Sequence, residues 1–254
     1  MRFGLCTDIR NVKMVESSGY DYIDGKLNQI AAFSDEEFES VLALMKTSPL
    51  KMERASLLYP KTMALIGKDY DEKAMVEYLR KAFGRMNALS CPLVVFGSGK
   101  SRMLPEGMKW TEGFLQLVHV TQLTADIASE YGIDIAIETL NRAETNMINT
   151  LTEGAALQAV VNRKNVGLLA DAFHMRKEGE DMNKIVSCSP LMHTHIALKE
   201  GRAYPTEECE EVEEFFAFLR KAGYDGTMSI EGKSENVEED SVKALKVLRE
   251  YDRR

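Results

Sequence analysis

Carboxylate and imidazole side chains recur where short apolar runs of the sequence end. Glu138 closes one run, Asp171 closes the next and Glu231 closes the last. The run between the last two carries His193 and His195, and this spacing points both imidazoles to the same face of a strand. Three carboxylates and one imidazole form a hard to borderline ligand set, which suits Mn²⁺ or Mg²⁺ and tolerates Co²⁺ or Zn²⁺. The pattern indicates a divalent-metal site in which either histidine could be the ligand.

Each of these residues also has a structural explanation when it is considered alone. Glu138 could pair with Arg142, and Asp171 could cap the helix that follows it. A single histidine is more often a hydrogen-bonded core residue, and we keep that interpretation for His119 on a predicted helix. Ligand-type residues in four consecutive units are hard to obtain by accident, however, and a buried carboxylate is costly without a partner. Their joint occurrence favours a site.

Eight short apolar runs alternate with longer segments of helical periodicity. The runs lie at residues 2–7, 20–24, 52–58, 93–97, 133–138, 166–171, 191–197 and 227–231. Each has the length of a strand. A capping box at Ser34 and Glu37 begins one helical segment, and others lie at residues 69–89, 111–131, 150–161, 211–222 and 240–251. Shorter helices are expected near residues 12–17 and 182–186.

Strict alternation of strands and helices predicts parallel strands, and eight units in 254 residues fit a (β/α)8 TIM barrel. We therefore predict a single domain over residues 1–254. A doubly wound open sheet is the competing architecture, but it usually has fewer strands. No GxGxxG follows the first run, and no Walker A loop is present. Residues 97–100, Gly-Ser-Gly-Lys, are interpreted as an ordinary loop between a strand and a helix.

Composition excludes several classes of function. A net charge of −8 and a pI near 5.2 argue against nucleic acid or an anionic membrane surface as the main partner. The four cysteines show no CxxC spacing, which indicates reduced thiols and a cytoplasmic protein. We expect neither a signal peptide nor a transmembrane segment.

Several segments resemble a known family. Ile137 to Glu144, IETLNRAE, is similar to the IE-x-LNR-x-E motif of the ketose 3-epimerases. LADAFHM at residues 169–175 resembles the D-x-x-HM strand end of that family, and HTH at residues 193–195 resembles its HxH strand. GYDGTMSIE at residues 223–231 is similar to its GYxGxxxIE segment. The resemblance places the chain among sugar isomerases and epimerases with a xylose-isomerase-like TIM barrel.

The resemblance implies a role for each matching residue at the metal. Glu138, Asp171, His195 and Glu231 would bind one divalent ion, with Mn²⁺ as the first candidate and Mg²⁺, Co²⁺ or Zn²⁺ as others. Glu138 and Glu231 would also act as the catalytic acid and base. The implied reaction removes a proton beside a ketone and returns it through a metal-stabilised enediolate.

The resemblance also implies three residues that contact the substrate. His174 and Glu144 would bind hydroxyl groups near the carbonyl. The family has an arginine shortly after the metal histidine, and Arg202 is the candidate, although its spacing is slightly different. The glycine-proline loop of the family is missing after Arg202, and FGSGKSRMLPEG replaces its aromatic platform at strand four. The resemblance therefore predicts the metal and the reaction better than it predicts which sugar is the substrate.

Four hypotheses about function compete. The first is a metal-dependent sugar or sugar-phosphate isomerase or epimerase with a small-molecule sugar substrate. The second is a lyase or dehydratase that acts on a keto-sugar or keto-inositol at the same metal site. A non-catalytic sugar-binding protein conflicts with a complete ligand set, and a relative of the endonuclease IV barrels would need more than the four histidines present. A homo-oligomer stays open, and Lys100, Arg102 and Arg142 are candidates for binding a phosphate.

Overall fold

Eight parallel strands close into a barrel in this computed structural model, which describes residues 1–254. The strands are β1 (Arg2–Cys6), β2 (Tyr22–Lys26), β3 (Met52–Ser56), β4 (Leu93–Phe96), β5 (Asp134–Glu138), β6 (Val166–Asp171), β7 (Leu191–Ile196) and β8 (Thr227–Ile230). Each strand pairs with its neighbours in chain order, and β8 pairs with β1. The predicted TIM barrel is confirmed.

Ten helices surround the strands. They are α1 (Val12–Ser17), α2 (Leu27–Ala32), α3 (Asp35–Lys46), α4 (Glu72–Ala88), α5 (Trp110–Glu130), α6 (Leu151–Val161), α7 (Ala172–Glu178), α8 (Lys184–Ser187), α9 (Glu210–Lys221) and α10 (Val237–Arg253). Two short 3₁₀ turns lie at Ile9–Asn11 and Lys100–Arg102. None of the helices is long and apolar enough to cross a membrane.

The barrel strands are apolar because both of their faces are covered. All six residues of β6 are buried, and the middle strands β4 and β5 are buried along almost their whole length. A parallel sheet with helices outside and packed side chains inside requires such continuous apolar sequences. A polar side chain within these strands therefore enters a dry interior, where it needs a partner.

Pairing between strands aligns the ends that carry the candidate ligands. In the β6–β7 ladder, Asp171 lies opposite His195, and in the β5–β6 ladder Glu138 lies opposite Leu169. Glu231 follows β8 directly, and its backbone N–H donates to the carbonyl of Ile196 at 3.2 Å. The four side chains consequently start from the same, carboxyl-terminal rim of the barrel.

Candidate metal and substrate site

Glu138, Asp171, His195 and Glu231 converge on one point of the rim. One ligand-type atom from each lies within 4.8 Å of the others. Nδ1 of His195 is at the centre, 2.9 Å from Glu138 Oε1, 3.4 Å from Glu231 Oε2 and 3.8 Å from Asp171 Oδ2. The sequence predicted these four residues as a set, and the structure brings them together.

Asp171 uses its two carboxylate oxygens differently. Oδ1 accepts a hydrogen bond from the backbone N–H of His174 at 3.1 Å and so caps α7. Oδ2 is buried and has no hydrogen-bond partner, although it faces His195. The predicted cap of α7 is confirmed, and the predicted metal-binding role of Asp171 stays a prediction. A buried carboxylate oxygen without a hydrogen-bond partner, within a group of other ligand-type side chains, fits a cation site.

Asp24, in the middle of β2, is a further buried carboxylate, and the predicted site did not include it. Its Oδ1 accepts hydrogen bonds from the backbone N–H and the hydroxyl of Ser56 at 3.1 and 2.9 Å. Its Oδ2 lies 3.5 Å from Nε2 of His195 and 3.6 Å from Nε2 of His193. Asp24 thus faces the far side of the His195 ring and leaves Nδ1 for the cluster at the rim.

His193 lies one layer deeper than His195. Both imidazoles are fully buried and lie on one face of β7, as their spacing predicted, and this face is the interior of the barrel. Nδ1 of His193 is 2.9 Å from the carbonyl of Thr227, and Nε2 is 3.2 Å from the hydroxyl of Ser229. Burial lowers the pKa of His193 to about 4, so its ring is neutral and packs as part of the interior.

The two glutamates have opposite electrostatic surroundings. Burial, together with the neighbouring Glu231 carboxylate, raises the pKa of Glu138. Burial also acts to raise the pKa of Glu231, but the positive charges of His195 and Arg202 outweigh it and hold that pKa at about 2. Burial works against the charged form of His195, yet the carboxylates around it, Glu231 first, raise its pKa well above the usual range. A pair of carboxylates whose pKa values are pushed apart is a typical acid–base arrangement.

The three predicted substrate residues border this cluster. Nη2 of Arg202 donates to Glu231 Oε2 at 2.5 Å, and its Nη1 lies 3.5 Å from Glu144 Oε1. Nδ1 of His174 accepts a hydrogen bond from the Asn141 side-chain amide at 2.7 Å. Nε2 of His174 lies 3.9 Å from Asp171 Oδ2. His174, Glu144 and Arg202 are therefore close to the four ligand-type residues without belonging to their group.

Three other sequence interpretations change. His119 was expected in the core, but it is exposed and hydrogen-bonded to Glu72 on the surface. Arg142 pairs with Glu178, and Arg102 is fully buried and donates to the carbonyls of Phe96 and Glu138. Arg102 and Arg142 are therefore occupied, and of the three candidates for binding a phosphate only Lys100 stays free.

Comparison with known proteins supports the same architecture. The family model of xylose isomerase-like TIM barrels matches residues 12–251. The L-ribulose 3-epimerase of Methylomonas sp. (strain DH-1) is 30% identical over 229 residues, which are 87% of this chain and 76% of that protein.

Two solved structures have the same fold. The crystal structure of D-allulose 3-epimerase from Methylomonas sp. has a TM-score of 0.86 at 24% identity, covering 99% of this chain and 98% of the other. A structure of the IolI protein with a bound zinc atom has a TM-score of 0.75 at 18% identity, covering 99% and 96%. With the match to residues 12–251, these findings show that the chain belongs to the xylose isomerase-like TIM barrel family.

Proposed function

We propose that this protein is a divalent-metal-dependent isomerase or epimerase of sugars, which moves a proton at the carbon beside a keto group. The observation that carries the proposal is the convergence of four ligand-type side chains within 4.8 Å, two of them glutamates from β5 and from the end of β8. The relatives support the substrate class, since they are named for L-ribulose and D-allulose. The substrate would be a small sugar.

Glu138, Asp171, His195 and Glu231 would hold the metal ion. Their donor set fits, because three carboxylates around one imidazole are unfavourable in a dry interior unless a cation compensates them. Asp171 Oδ2 in particular has no partner within the chain. The oxygen-rich set favours Mn²⁺, with Mg²⁺, Co²⁺ and Zn²⁺ as alternatives, and the zinc atom of the IolI structure supports a divalent ion. A bound ion would act as a Lewis acid that stabilises the enediolate form of the substrate.

Glu138 and Glu231 would transfer the protons. Each carboxylate has two oxygens, so one can face the ion while the other faces the substrate carbon. The glutamates come from strands three units apart in the barrel, which lets them reach opposite faces of a substrate between them. One removes the α-proton and the other returns a proton on the opposite face, which inverts the carbon.

The neighbouring polar residues would orient the sugar. His174 is fixed by the Asn141 amide through Nδ1, so its Nε2 is available to a hydroxyl or carbonyl oxygen of the substrate. Glu144 and Arg202 lie next to His174, since Nη2 of Arg202 is 3.5 Å from His174 Nε2 and its Nη1 is 3.5 Å from Glu144 Oε1. Arg202 would then exchange part of its contact with Glu231 for a substrate oxygen, which frees a Glu231 oxygen for proton transfer.

Hydrogen–deuterium exchange tests the reaction. The Mn²⁺-loaded protein is incubated in D₂O with a panel of ketoses and keto-sugars, and deuterium at the carbon beside the carbonyl is followed by NMR. We expect exchange together with formation of an epimer or isomer. Exchange with loss of water would instead identify a lyase or dehydratase of a keto-sugar or keto-inositol. No exchange with any substrate would contradict the proposal.

We further propose a cytoplasmic protein, because all four cysteines are free in the structure. Nucleic acid and membranes are not proposed as partners of this acidic chain.

A further inference from the structure

A cavity of about 280 Å³ opens over the ends of β2, β3 and β4, next to the proposed metal site. Its wall includes Leu57, Tyr59, Lys61, the loop at residues 97–101 and Glu144. Gly97 lies between this cavity and Glu138, because it lines the cavity and a Cβ atom added to it would overlap Glu138 Oε2. Its volume is near the lower end of the range of about 300–1,000 Å³ typical of ligand sites. The cavity therefore lies beside the position proposed for the reacting carbon of the substrate.

Two free ammonium groups give this cavity its charge. Lys61 and Lys100 both line it, and neither lies within 4.0 Å of a carboxylate. Glu144 is the one acidic residue on the wall, and its carboxylate faces Arg202 at 3.5 Å. The chain as a whole carries a net charge of −8. Two unpaired cations on one concave wall of an acidic protein would attract an anionic group.

The polar groups between the lysines can add hydrogen bonds. The hydroxyl oxygen of Ser98 accepts from the backbone N–H of Tyr59 at 2.7 Å, so its own hydrogen is free to donate into the cavity. Ser98 is itself 5% exposed and cannot turn freely to bulk water. A fixed hydroxyl donor beside two ammonium groups suits an oxyanion.

The rim of the cavity is held in an unusual conformation. Leu57, directly after β3, has a φ of 59°, in the left-handed region that a bulky side chain rarely adopts. Its carbonyl accepts a hydrogen bond from the backbone N–H of Asn28 at 3.2 Å, which links the end of β3 to the first turn of α2. Strained residues persist where the surroundings fix them, and they cluster at ligand sites.

We propose that Lys61, Lys100 and Ser98 bind an anionic group of the substrate, a phosphate ester or a carboxylate, at the end remote from the carbon that is epimerised. The proposal rests on the proposed function and narrows its substrate class to acidic sugars. It also explains the sequence of strand four, where Gly-Ser-Gly-Lys-Ser stands in place of the aromatic platform expected from the resemblance.

The first test measures binding without turnover. Inorganic phosphate is titrated into EDTA-treated protein by isothermal titration calorimetry, which removes metal as a competing phosphate ligand. We expect one phosphate per chain. Its dissociation constant should rise about 10- to 100-fold in the Lys61→Met/Lys100→Met variant, the range for losing charge-assisted hydrogen bonds. Lys164→Met, a matched exposed lysine between α6 and β6, should bind phosphate like the wild type.

The second test compares substrates of one carbon skeleton. A ketopentose, its terminal phosphate ester and its terminal carboxylate are assayed with the wild type, the double variant and Lys164→Met. We expect kcat/KM to favour one of the two anionic forms about tenfold or more, and this preference identifies the anion. The preference should collapse in the double variant and persist in Lys164→Met.

The two tests separate the anion site from the proposed reaction. Lysine-dependent phosphate binding without any deuterium exchange would leave the anion site standing and contradict the sugar epimerase. Turnover that favours the neutral ketose, with phosphate binding absent or unchanged in the double variant, would overturn the anion site and leave the epimerase intact.

Discussion

Glu138 and Glu231 carry the same functional group in different surroundings. Glu138 lies against the backbone of Gly97 and contacts His195, whereas Glu231 is hydrogen-bonded to Arg202 at 2.5 Å. We predict that Glu138→Gln and Glu231→Gln each lower turnover by on the order of 10²–10⁴, the typical loss when a general base is removed. Each variant keeps a carbonyl oxygen for the ion, so metal binding should weaken without disappearing.

The two variants should also differ from each other. With one epimer as substrate, one variant should still exchange the α-proton with D₂O while the other does not, and with the opposite epimer the behaviour should reverse. NMR on both epimers with metal-loaded protein measures this directly. If neither variant exchanges the α-proton of either epimer while metal is bound, the result would argue against a base on each face of the substrate.

Asp24 is predicted to orient His195 rather than to touch the substrate. Its Oδ2 faces Nε2 of His195 at 3.5 Å, and Ser56 fixes its other oxygen. Asp24→Asn keeps an acceptor for Ser56 but removes the charge behind the ring, so Mn²⁺ affinity should fall by about 10- to 100-fold. Calorimetric titration measures it. Asp134→Asn, an exposed residue at the start of β5, is the control and should bind Mn²⁺ normally. Unchanged affinity in Asp24→Asn would refute the role.

At the residue scale, the sequence predicted which residues lie at the site better than it predicted the interactions they make. Glu138, Asp171 and Glu231 each end an apolar run, and a charged residue there is visible without a structure. Asp24 gives the same signal at the end of the second run, but the predicted ligand set contains only residues of the last four units. The sequence does not predict that Lys61 and Lys100 line the same cavity, because this depends on how two separate loops fold.

At the element scale, the close approach of β4 and β5 makes Gly97 critical. A Cβ atom at this position would overlap Glu138 Oε2, so we predict that Gly97→Ala displaces the carboxylate and reduces turnover by on the order of 10²-fold or more. Overpacking should also cost about 1–3 kcal/mol of stability. Activity and urea unfolding, measured together, check both effects.

Gly84→Ala is the matched control for this substitution. Gly84 lies within α4, and an added Cβ would meet only Tyr131, at 4.0 Å. Alanine there should leave activity unchanged and raise stability by about 0.5–1 kcal/mol, because glycine is unfavourable inside a helix. Full activity in Gly97→Ala would show that Glu138 can move without loss of function.

The order of strands and helices was more predictable than the residues at which they begin and end. The predicted run 166–171 coincides with β6, and the predicted helix 12–17 coincides with α1. The second strand begins at Tyr22 and extends to Lys26, two residues later than expected at each end, and α2 then follows at once. Apolar periodicity identifies which residues are buried, but it does not fix where pairing with a neighbouring strand ends.

At the scale of the whole molecule, the barrel closes around groups of like charge. Glu138, Asp171 and Glu231 are all largely buried, and one imidazole and Arg202 are the nearest cations. The folded chain therefore contains a repulsion that the unfolded chain does not. A cation that binds only the folded state must stabilise the entire barrel, since its ligands come from four different strands or strand ends.

We predict that Mn²⁺ raises the melting temperature relative to EDTA-treated protein. At a concentration 100 times the dissociation constant, binding contributes about 2.7 kcal/mol, which corresponds to a shift of about 5–10 °C for a domain near this size. Differential scanning calorimetry over a series of Mn²⁺ concentrations measures it. The shift should grow with the logarithm of the concentration once the site is saturated. Equal melting temperatures in Mn²⁺ and EDTA would contradict a metal site that links the strands.

Asp171→Asn distinguishes a role of Asp171 in metal binding from a role in stabilising the fold. The asparagine Oδ1 can still accept from the His174 N–H, so the cap of α7 is preserved, while one buried negative charge is removed. Without metal, this variant should melt at or above the temperature of the metal-free wild type, because a carboxylate oxygen without a partner is no longer buried. Mn²⁺ should raise the melting temperature of this variant much less than that of the wild type. A lower melting temperature without metal would mean that Asp171 serves the fold more than the ion.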